Sequence, residues 1–217
     1  MIYIRKLSEP RSLKEYRNTP GADFDGLEKT DLRKSLLCEQ GYLCAYCMRK
    51  IRSARNIKIE HYVKRNSTNQ LNYANLLAVC DGNKNLKDEN GKVNPKKFTC
   101  DSMKGSQALH INPQRKSDME TIYYDNQGFI HSTNDTYQKD LDEILNLNDK
   151  NGFLIQNRKE AVKVIIEKLT NLRQGQDALS VLNRIKERCE NMDSNGELPE
   201  YAGIMRWYVE KQIRKHS

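Results

Sequence analysis

Apolar residues recur every three or four positions in several stretches of this 217-residue chain, which is the spacing of an amphipathic helix. Leu32, Leu36 and Leu37 predict a helix over Glu28–Gln40, and Gly41 would end it because glycine is common just after a helix. In the carboxy-terminal half the same spacing predicts four further helices, over Tyr137–Leu147, Phe153–Leu172, Ala178–Met192 and Tyr201–Lys215.

Two short stretches predict strands instead of helices. Ile57–Ile59 alternates apolar and polar residues and would lead directly into Glu60 and His61. Ile122–Ile130 predicts a hairpin with Asp125–Gly128 as its turn, since Asn and Gly favour tight turns. Helices mixed with a few short strands predict an α+β fold.

Polar and turn-forming stretches divide the chain into three parts. Residues 1–26 contain Pro10 and Pro20 and show no sustained period, so we expect an extended amino-terminal arm. Residues 27–116 would form the core that carries the chemistry. Residues 117–217 would form the hairpin and a mostly helical region, which either completes the core or offers a docking surface for a partner.

The composition predicts a cytoplasmic protein. No apolar run approaches the roughly 20 residues that cross a bilayer, so we expect no membrane segment. The sequence does not open on a charged and then apolar leader. Cytosolic cysteines are usually reduced, which favours metal binding over disulfides for the six cysteines here.

Positive charge is concentrated in the first half of the chain. Residues 1–116 hold 23 Lys and Arg against 12 Asp and Glu, a net charge of +11, whereas residues 117–217 carry a net charge of −3. A basic surface of this kind attracts the phosphate backbone of nucleic acids. The alternative is a solvated, lysine-rich surface with no ligand.

Four of the six cysteines have the spacing of a zinc site. Cys44 and Cys47 form a Cys-x2-Cys knuckle, and Cys80 and Cys100 can supply the two remaining ligands of a tetrahedral ion. A zinc ion with four thiolate ligands has no open position, so we expect its role to be structural. Cys38 and Cys189 lie outside this pattern, and we expect both to be buried in helices.

The residues between and beside these cysteines resemble the HNH endonuclease motif in its zinc-bound, ββα-metal form. The matching segments are Cys44–Cys47, Ile59–His61, Asn75-Leu76, Cys80 and Cys100–Lys104. The resemblance implies that Asn75–Val79 is the second β element and that Asp101 begins the α element. Two departures are visible. The polar stretch from Asp81 to Thr99, a predicted loop, separates the last two cysteines, and Asp101 stands where His or Asn is usual.

The resemblance implies a role for each residue of the motif. His61 would be the general base that activates water, since its ordinary pKa lies near neutrality. Glu60 and Asp101 would bind one catalytic Mg²⁺ or Mn²⁺, which prefer carboxylate oxygen. Asn75 would brace the loop and orient the histidine. The alternatives are a packing role for His61, a helix cap for Asp101 and an ordinary turn for Asn75.

Basic residues near the motif are candidate contacts to DNA. Each of them is individually a weak signal, and plain solvation is the alternative. They are Lys104, Lys64, Arg65, Lys96 and Lys97.

A longer resemblance extends over most of the chain, to the PtuB family of HNH proteins from Septu anti-phage defence and some retron systems. The stretches that carry it are Met1–Lys6, Leu36–Cys47, Ile111–Pro113, Tyr123–Gly128 and Leu145–Asn148. The resemblance implies an ABC-type ATPase partner of the PtuA type, and in retron systems a reverse transcriptase with its nucleic acid. Two other hypotheses are a zinc-ribbon nucleic-acid-binding or scaffold protein without nuclease activity, and an HNH nicking enzyme of a phage or mobile element.

Overall fold

The computed structural model describes residues 1–150, 152–173 and 175–216. That part of the chain combines helices with two small antiparallel sheets, so the predicted α+β class is confirmed. The strands are Lys58–His61 (β1), Leu76–Val79 (β2), Ile122–Tyr124 (β3) and Ile130–Ser132 (β4). The α-helices are Arg11–Arg17 (α1), Thr30–Glu39 (α2), Cys100–Lys104 (α3), Lys116–Glu120 (α4), Asp135–Lys139 (α5), Phe153–Thr170 (α6), Ala178–Glu190 (α7) and Ala202–His216 (α8).

Strands β1 and β2 lie at the centre of the molecule. They pair antiparallel, with Glu60 opposite Leu77 and His61 opposite Leu76. All four residues of β2 are apolar and buried, as expected for a strand covered on both faces. Strand β1 is the less buried partner, and it carries Glu60 and His61 as the alternation of Ile57–Ile59 predicts.

The long segment between β2 and α3 is mostly irregular, in agreement with the loop predicted there. It contains one 3-10 turn, Pro95–Lys97, and one isolated bridge between Lys87 and Val93. Its two ends are tied together where the Thr99 amide donates to the Gly82 carbonyl at 2.9 Å. The insertion therefore leaves Cys80 and Cys100 close in space.

The extended arm predicted for residues 1–26 is wrong for Arg11–Arg17, which form helix α1. Pro10 precedes the helix, and Leu13 is its one buried residue. A seven-residue helix with one buried side chain shows too little periodicity to be recognised in the sequence. Met1 and Ile4 are also buried, so the amino terminus belongs to the main core.

The other helices lie close to their predicted positions, with local differences. The stretch predicted as one helix over Tyr137–Leu147 consists of α5 and a π turn, Asp140–Ile144. In the amino-terminal part, Cys38 is exposed and not buried, because it faces away from the buried leucines of α2. Cys189 is buried, as predicted.

The carboxy-terminal helices pack against the segment that holds the first two motif cysteines. The Tyr201 amide donates to the Met48 carbonyl at 3.0 Å, and the Leu198 amide donates to the Gly41 carbonyl at 3.1 Å. Gly41 has a φ of 59°, and a β-carbon there would lie 2.6 Å from the Leu198 side chain. Glycine at this position therefore permits both the end of α2 and the close approach of Leu198.

None of the helices in the described ranges is both long enough and apolar enough to cross a membrane.

Candidate metal centre and adjoining acid site

The four motif cysteines converge on one buried point. Their sulfur atoms all lie within 4.8 Å of one another, and all four residues are buried. The Cys44–Cys100 and Cys80–Cys100 sulfur distances are 3.9 Å, and the Cys47–Cys80 distance is 3.7 Å. Four thiolates about 2.3 Å from a tetrahedral zinc ion stand about 3.8 Å apart. The cluster could therefore hold a metal ion such as zinc.

The Cys44–Cys47 knuckle is a tight turn tied to strand β2. The Met48 amide donates to the Cys44 carbonyl at 3.1 Å, and Met48 adopts a φ of 64°. The Ala45 amide donates to the Ala78 carbonyl at 3.0 Å. The knuckle is therefore held against the strand that leads into Cys80.

A second tight turn follows Cys80. The Gly82 amide donates to the Cys80 sulfur at 3.4 Å, and Gly82 has a φ of 59°. A β-carbon on Gly82 would lie 2.2 Å from the Thr99 carbonyl oxygen, a distance that no real side chain adopts. Glycine is therefore required for the chain to return to Cys100. The Cys100 amide in turn donates to the Leu145 carbonyl at 2.9 Å.

Within the cluster, the thiolate of Cys44 is favoured at the expense of those of Cys80 and Cys100. Burial raises the pKa of Cys44, but hydrogen bonds from Cys100, Cys47 and Cys80 outweigh burial and lower the pKa well below its usual range. For Cys100, burial and the neighbouring Cys44 raise the pKa well above its usual range. A bound cation relieves this conflict because it stabilises all four thiolates together.

Glu60 lies beside the cysteine cluster and is almost completely buried. Its Oε1 atom lies 2.7 Å from the Lys104 Nζ atom, and only 2% of the Lys104 side chain is exposed. The Tyr46 hydroxyl donates to the same oxygen at 3.1 Å. Tyr46 stands between Cys44 and Cys47, so the residue that orients Glu60 belongs to the knuckle itself.

Asp101 completes a pair of carboxyl groups with Glu60. Burial is the main cause that raises the pKa of Glu60 to about 8, and a hydrogen bond with Asp101 is the next. The Asp101 Oδ2 atom lies 3.5 Å from the Lys58 Nζ atom. Thr99 occupies the cap position of α3, so Asp101 does not cap this helix. Sites that bind cations commonly hold two carboxyl groups close together, although burial disfavours the charged form of both.

His61 follows Glu60 and is half-buried. Its Nε2 atom lies 3.0 Å from the Gln70 carbonyl oxygen, and its ring packs edge-on against Phe24 with 4.5 Å between centroids. Burial lowers the pKa of His61, more than the Gln70 carbonyl raises it. The imidazole is therefore neutral and fixed in orientation.

Asn75 joins the segment after His61 to the start of β2. Its Oδ1 atom accepts from the Val63 amide at 2.7 Å, and its Nδ2 atom donates to the Val63 carbonyl at 3.0 Å. The Asn75 carbonyl accepts from the Tyr62 amide at 2.9 Å. These bonds brace the loop that follows the histidine.

The basic residues predicted to contact DNA do not share one environment. Lys104 is buried against Glu60 and is not presented to solvent, so its predicted phosphate contact would require the side chain to move and stays a prediction. Arg65 lies 2.7 Å from Asp25, while Lys64 and Lys96 are exposed and Lys97 is half-buried. The inward orientation of Lys104 follows from the buried carboxylate of Glu60, with which its ammonium group pairs.

Two contacts of the site were not predicted from the sequence. The Tyr46 hydroxyl donates a hydrogen bond to Glu60. Lys58 reaches Asp101 and also donates to the Ser102 hydroxyl at 2.8 Å. The sequence feature that could have pointed to Tyr46 is its position between Cys44 and Cys47. The sequence around Lys58 contains no feature of this kind.

No protein-family model matches the sequence, and none of the curated proteins compared with it matches either.

Proposed function

We propose that this protein is a metal-dependent endonuclease of the HNH type that hydrolyses DNA phosphodiester bonds. The observation that carries the proposal is the pairing of Glu60, near the end of β1, with Asp101, at the start of α3, next to His61 and beside four clustered cysteines. A strand pair followed by a short helix that carries these residues supports the resemblance to the ββα-metal motif.

The position of His61 supports a role as general base. A carbonyl oxygen can only accept a hydrogen bond, so the contact with Gln70 places the ring proton on Nε2. In the neutral ring the lone pair then lies on Nδ1, which can take a proton from an attacking water. The lowered pKa of His61 keeps the ring in this proton-accepting form at neutral pH.

The Glu60 and Asp101 carboxylates fit a hard divalent cation. Carboxylate oxygens are preferred ligands of Mg²⁺ and Mn²⁺. When bound there, such an ion would stabilise the charge that develops on the phosphate. Tyr46 and Lys104 hold the Glu60 carboxylate in one orientation, and Lys58 does the same for Asp101.

The zinc proposal gives the cysteine cluster a structural role. Zinc bound by Cys44, Cys47, Cys80 and Cys100 would join the first knuckle to the start of α3. Tyr46 belongs to the knuckle and Asp101 to α3, and both contact Glu60. The ion would therefore fix the positions of these two residues relative to Glu60.

The test is plasmid cleavage by the wild type and by His61→Ala, each with Mg²⁺ or Mn²⁺ and with chelator. General-base removal costs about 100- to 10,000-fold in rate, so cleavage by the variant should fall to background while zinc content and melting temperature stay the same. Full cleavage by His61→Ala would contradict the proposed mechanism.

An ABC-type ATPase partner is proposed from the sequence resemblance. The resembling stretches include Leu36–Cys47, which contains the knuckle, and Leu145–Asn148, whose Leu145 carbonyl accepts the Cys100 amide. Cleavage that appears only after co-expression with the ATPase would support a gated nuclease, and a reverse transcriptase would then be sought in a retron-linked system. Strong cleavage by the isolated chain would argue against gating.

A second candidate function is a zinc-stabilised nucleic-acid-binding or scaffold subunit without nuclease activity. The observation that favours it is the ion pair between Lys104 and Glu60, because an ammonium group already neutralises the acid that a catalytic cation needs. Full zinc occupancy with no cleavage of DNA or RNA in any metal would favour this candidate.

A further inference from the structure

A cavity of about 610 Å³ opens beside the candidate acid site, and half of the residues that line it are basic. Ile51 and Ile57 are its apolar residues, and Asp81 is its one acid. Five cationic residues surround it, namely Arg49, Lys50, Arg52, Arg55 and Lys58. None of the five was among the candidate DNA contacts predicted from the sequence.

The cavity is continuous with the acid site through Lys58. This residue lines the cavity, and its Nζ atom lies 3.5 Å from Asp101 and 2.8 Å from the Ser102 hydroxyl. The Ser102 hydroxyl donates at 2.7 Å to the carbonyl of Asp81, another residue of the cavity wall. A DNA strand that passes over Asp101 would therefore reach the cavity next.

Three of the five cations already have acidic partners. Lys50 lies 2.7 Å from Glu197, and Lys58 faces Asp101. Arg49 lies 3.8 Å from Asp81, and its pKa is lowered by burial but raised more strongly by the charges of Cys47 and Cys80. Arg49 is therefore the residue that balances the charge of the cysteine cluster.

Arg52 and Arg55 are different. Both are exposed, and within the described ranges neither has a carboxylate within 4.0 Å. Two guanidinium groups without acids, at the mouth of a concave basic surface, are suited to phosphate oxygens, which arginine binds with paired hydrogen bonds.

We propose that this cavity binds a backbone phosphate of the DNA, adjacent to the phosphate at which the strand is cut, and that Arg52 and Arg55 contact it. The inference rests on the proposed nuclease function, because it places the substrate along the line from Asp101 through Lys58. A free phosphate or nucleotide shares the same chemistry, so the test separates the two sources.

The experiment measures binding of a fluorescently labelled DNA duplex in chelator, where no cleavage occurs. The proteins are the wild type and the double variant Arg52→Gln/Arg55→Gln. Each lost phosphate contact weakens binding by about five- to tenfold near 0.1 M salt and lowers the slope of log affinity against log salt by about 0.9. We expect both changes for the double variant, with unchanged zinc content and melting temperature.

The matched control is Arg173→Gln/Arg184→Gln, which removes two exposed arginines of the carboxy-terminal half and the same net charge. It should bind DNA as the wild type does. Unchanged affinity and salt slope in Arg52→Gln/Arg55→Gln would overturn the cavity proposal alone. Failure of the wild type to bind any duplex would overturn the proposed function as well.

Competition identifies the source of the phosphate. Inorganic phosphate and ATP are titrated against the labelled duplex at constant ionic strength. Displacement only by unlabelled DNA supports the backbone contact. Displacement by ATP at micromolar concentration, lost in Arg52→Gln/Arg55→Gln, would overturn it in favour of a nucleotide site.

Discussion

Two buried glutamates of this protein are surrounded by the same types of side chain. Glu39 contacts the Lys6 ammonium at 2.5 Å and accepts from the Tyr73 hydroxyl at 2.9 Å. Glu60 contacts the Lys104 ammonium at 2.7 Å and accepts from a tyrosine hydroxyl at 3.1 Å. Burial, charge partner and tyrosine therefore do not distinguish Glu39 from Glu60, the carboxylate for which we propose a function.

The difference lies in the third neighbour. The second oxygen of Glu39 accepts from the Leu7 backbone amide, so every contact of this carboxylate is with a donor. Glu60 instead faces a second carboxyl group, that of Asp101, and burial together with this neighbour raises its pKa to about 8. Acids brought together in this way are costly for the fold unless a cation joins them, which is the physical reason to place function at Glu60.

The largest expected effect is that Glu39→Gln mainly lowers stability, whereas Glu60→Gln mainly lowers cleavage activity. Glu39→Gln leaves the partly buried Lys6 without its acid and should lower the free energy of unfolding by about 3 kcal/mol, with little change in cleavage once folded. Burial and Asp101 raise the pKa of Glu60 to about 8, so its ionised form is costly for the fold. The neutral Gln should therefore cost less stability there than at Glu39, while cleavage should be at least about 100-fold slower.

Urea unfolding and plasmid cleavage of the two variants measure this separation. Zinc content is the control, because a lost metal would lower both quantities together. Equal losses of stability in both variants, with cleavage preserved in Glu60→Gln, would mean that the two glutamates are both structural.

The sequence was sufficient for the cysteine cluster and for the strand that carries Glu60 and His61. The Cys44–Cys47 spacing forces two sulfurs to one side of a turn, and the alternation of Ile57–Ile59 predicts a strand; both are local properties. The prediction that Cys100 joins the cluster was also correct. A backbone hydrogen bond between Thr99 and Gly82 connects the two ends of the insertion and brings Cys100 close to Cys80.

The contacts around Glu60 could not be predicted in the same way. Tyr46 and Glu60 are 14 positions apart, and Lys104 belongs to a five-residue helix, which is too short to show which face is buried. Lysines in polar sequence are usually exposed, so the buried position of Lys104 is a tertiary effect. The exposed Cys38 is a similar case, since helix periodicity alone does not show which positions at the edge of the apolar face are covered.

The second effect compares the two tyrosines. Tyr46→Phe and Tyr73→Phe each remove one hydrogen bond to a carboxylate and should cost about 1.5–3 kcal/mol of stability. Only Tyr46→Phe should slow cleavage, by about tenfold, because it loosens the orientation of Glu60. Both are measured at saturating DNA, where the loss belongs to kcat and not to KM. Tyr73→Phe is the control, and equal slowing by both would mean that the loss comes from general loosening of the fold.

The smallest effect concerns the two lysines and decides what Lys104 does. If its ammonium competes with a cation for the Glu60 carboxylate, then Lys104→Met should lower the Mg²⁺ or Mn²⁺ concentration for half-maximal cleavage by about three- to tenfold, because a neighbouring positive charge is removed. Lys6→Met, the control, should leave that concentration unchanged, since Glu39 has no acid neighbour with which to bind an ion. A rise in KM for DNA with unchanged metal dependence would instead support a phosphate contact, and Lys104 would then have to leave its buried position when substrate binds.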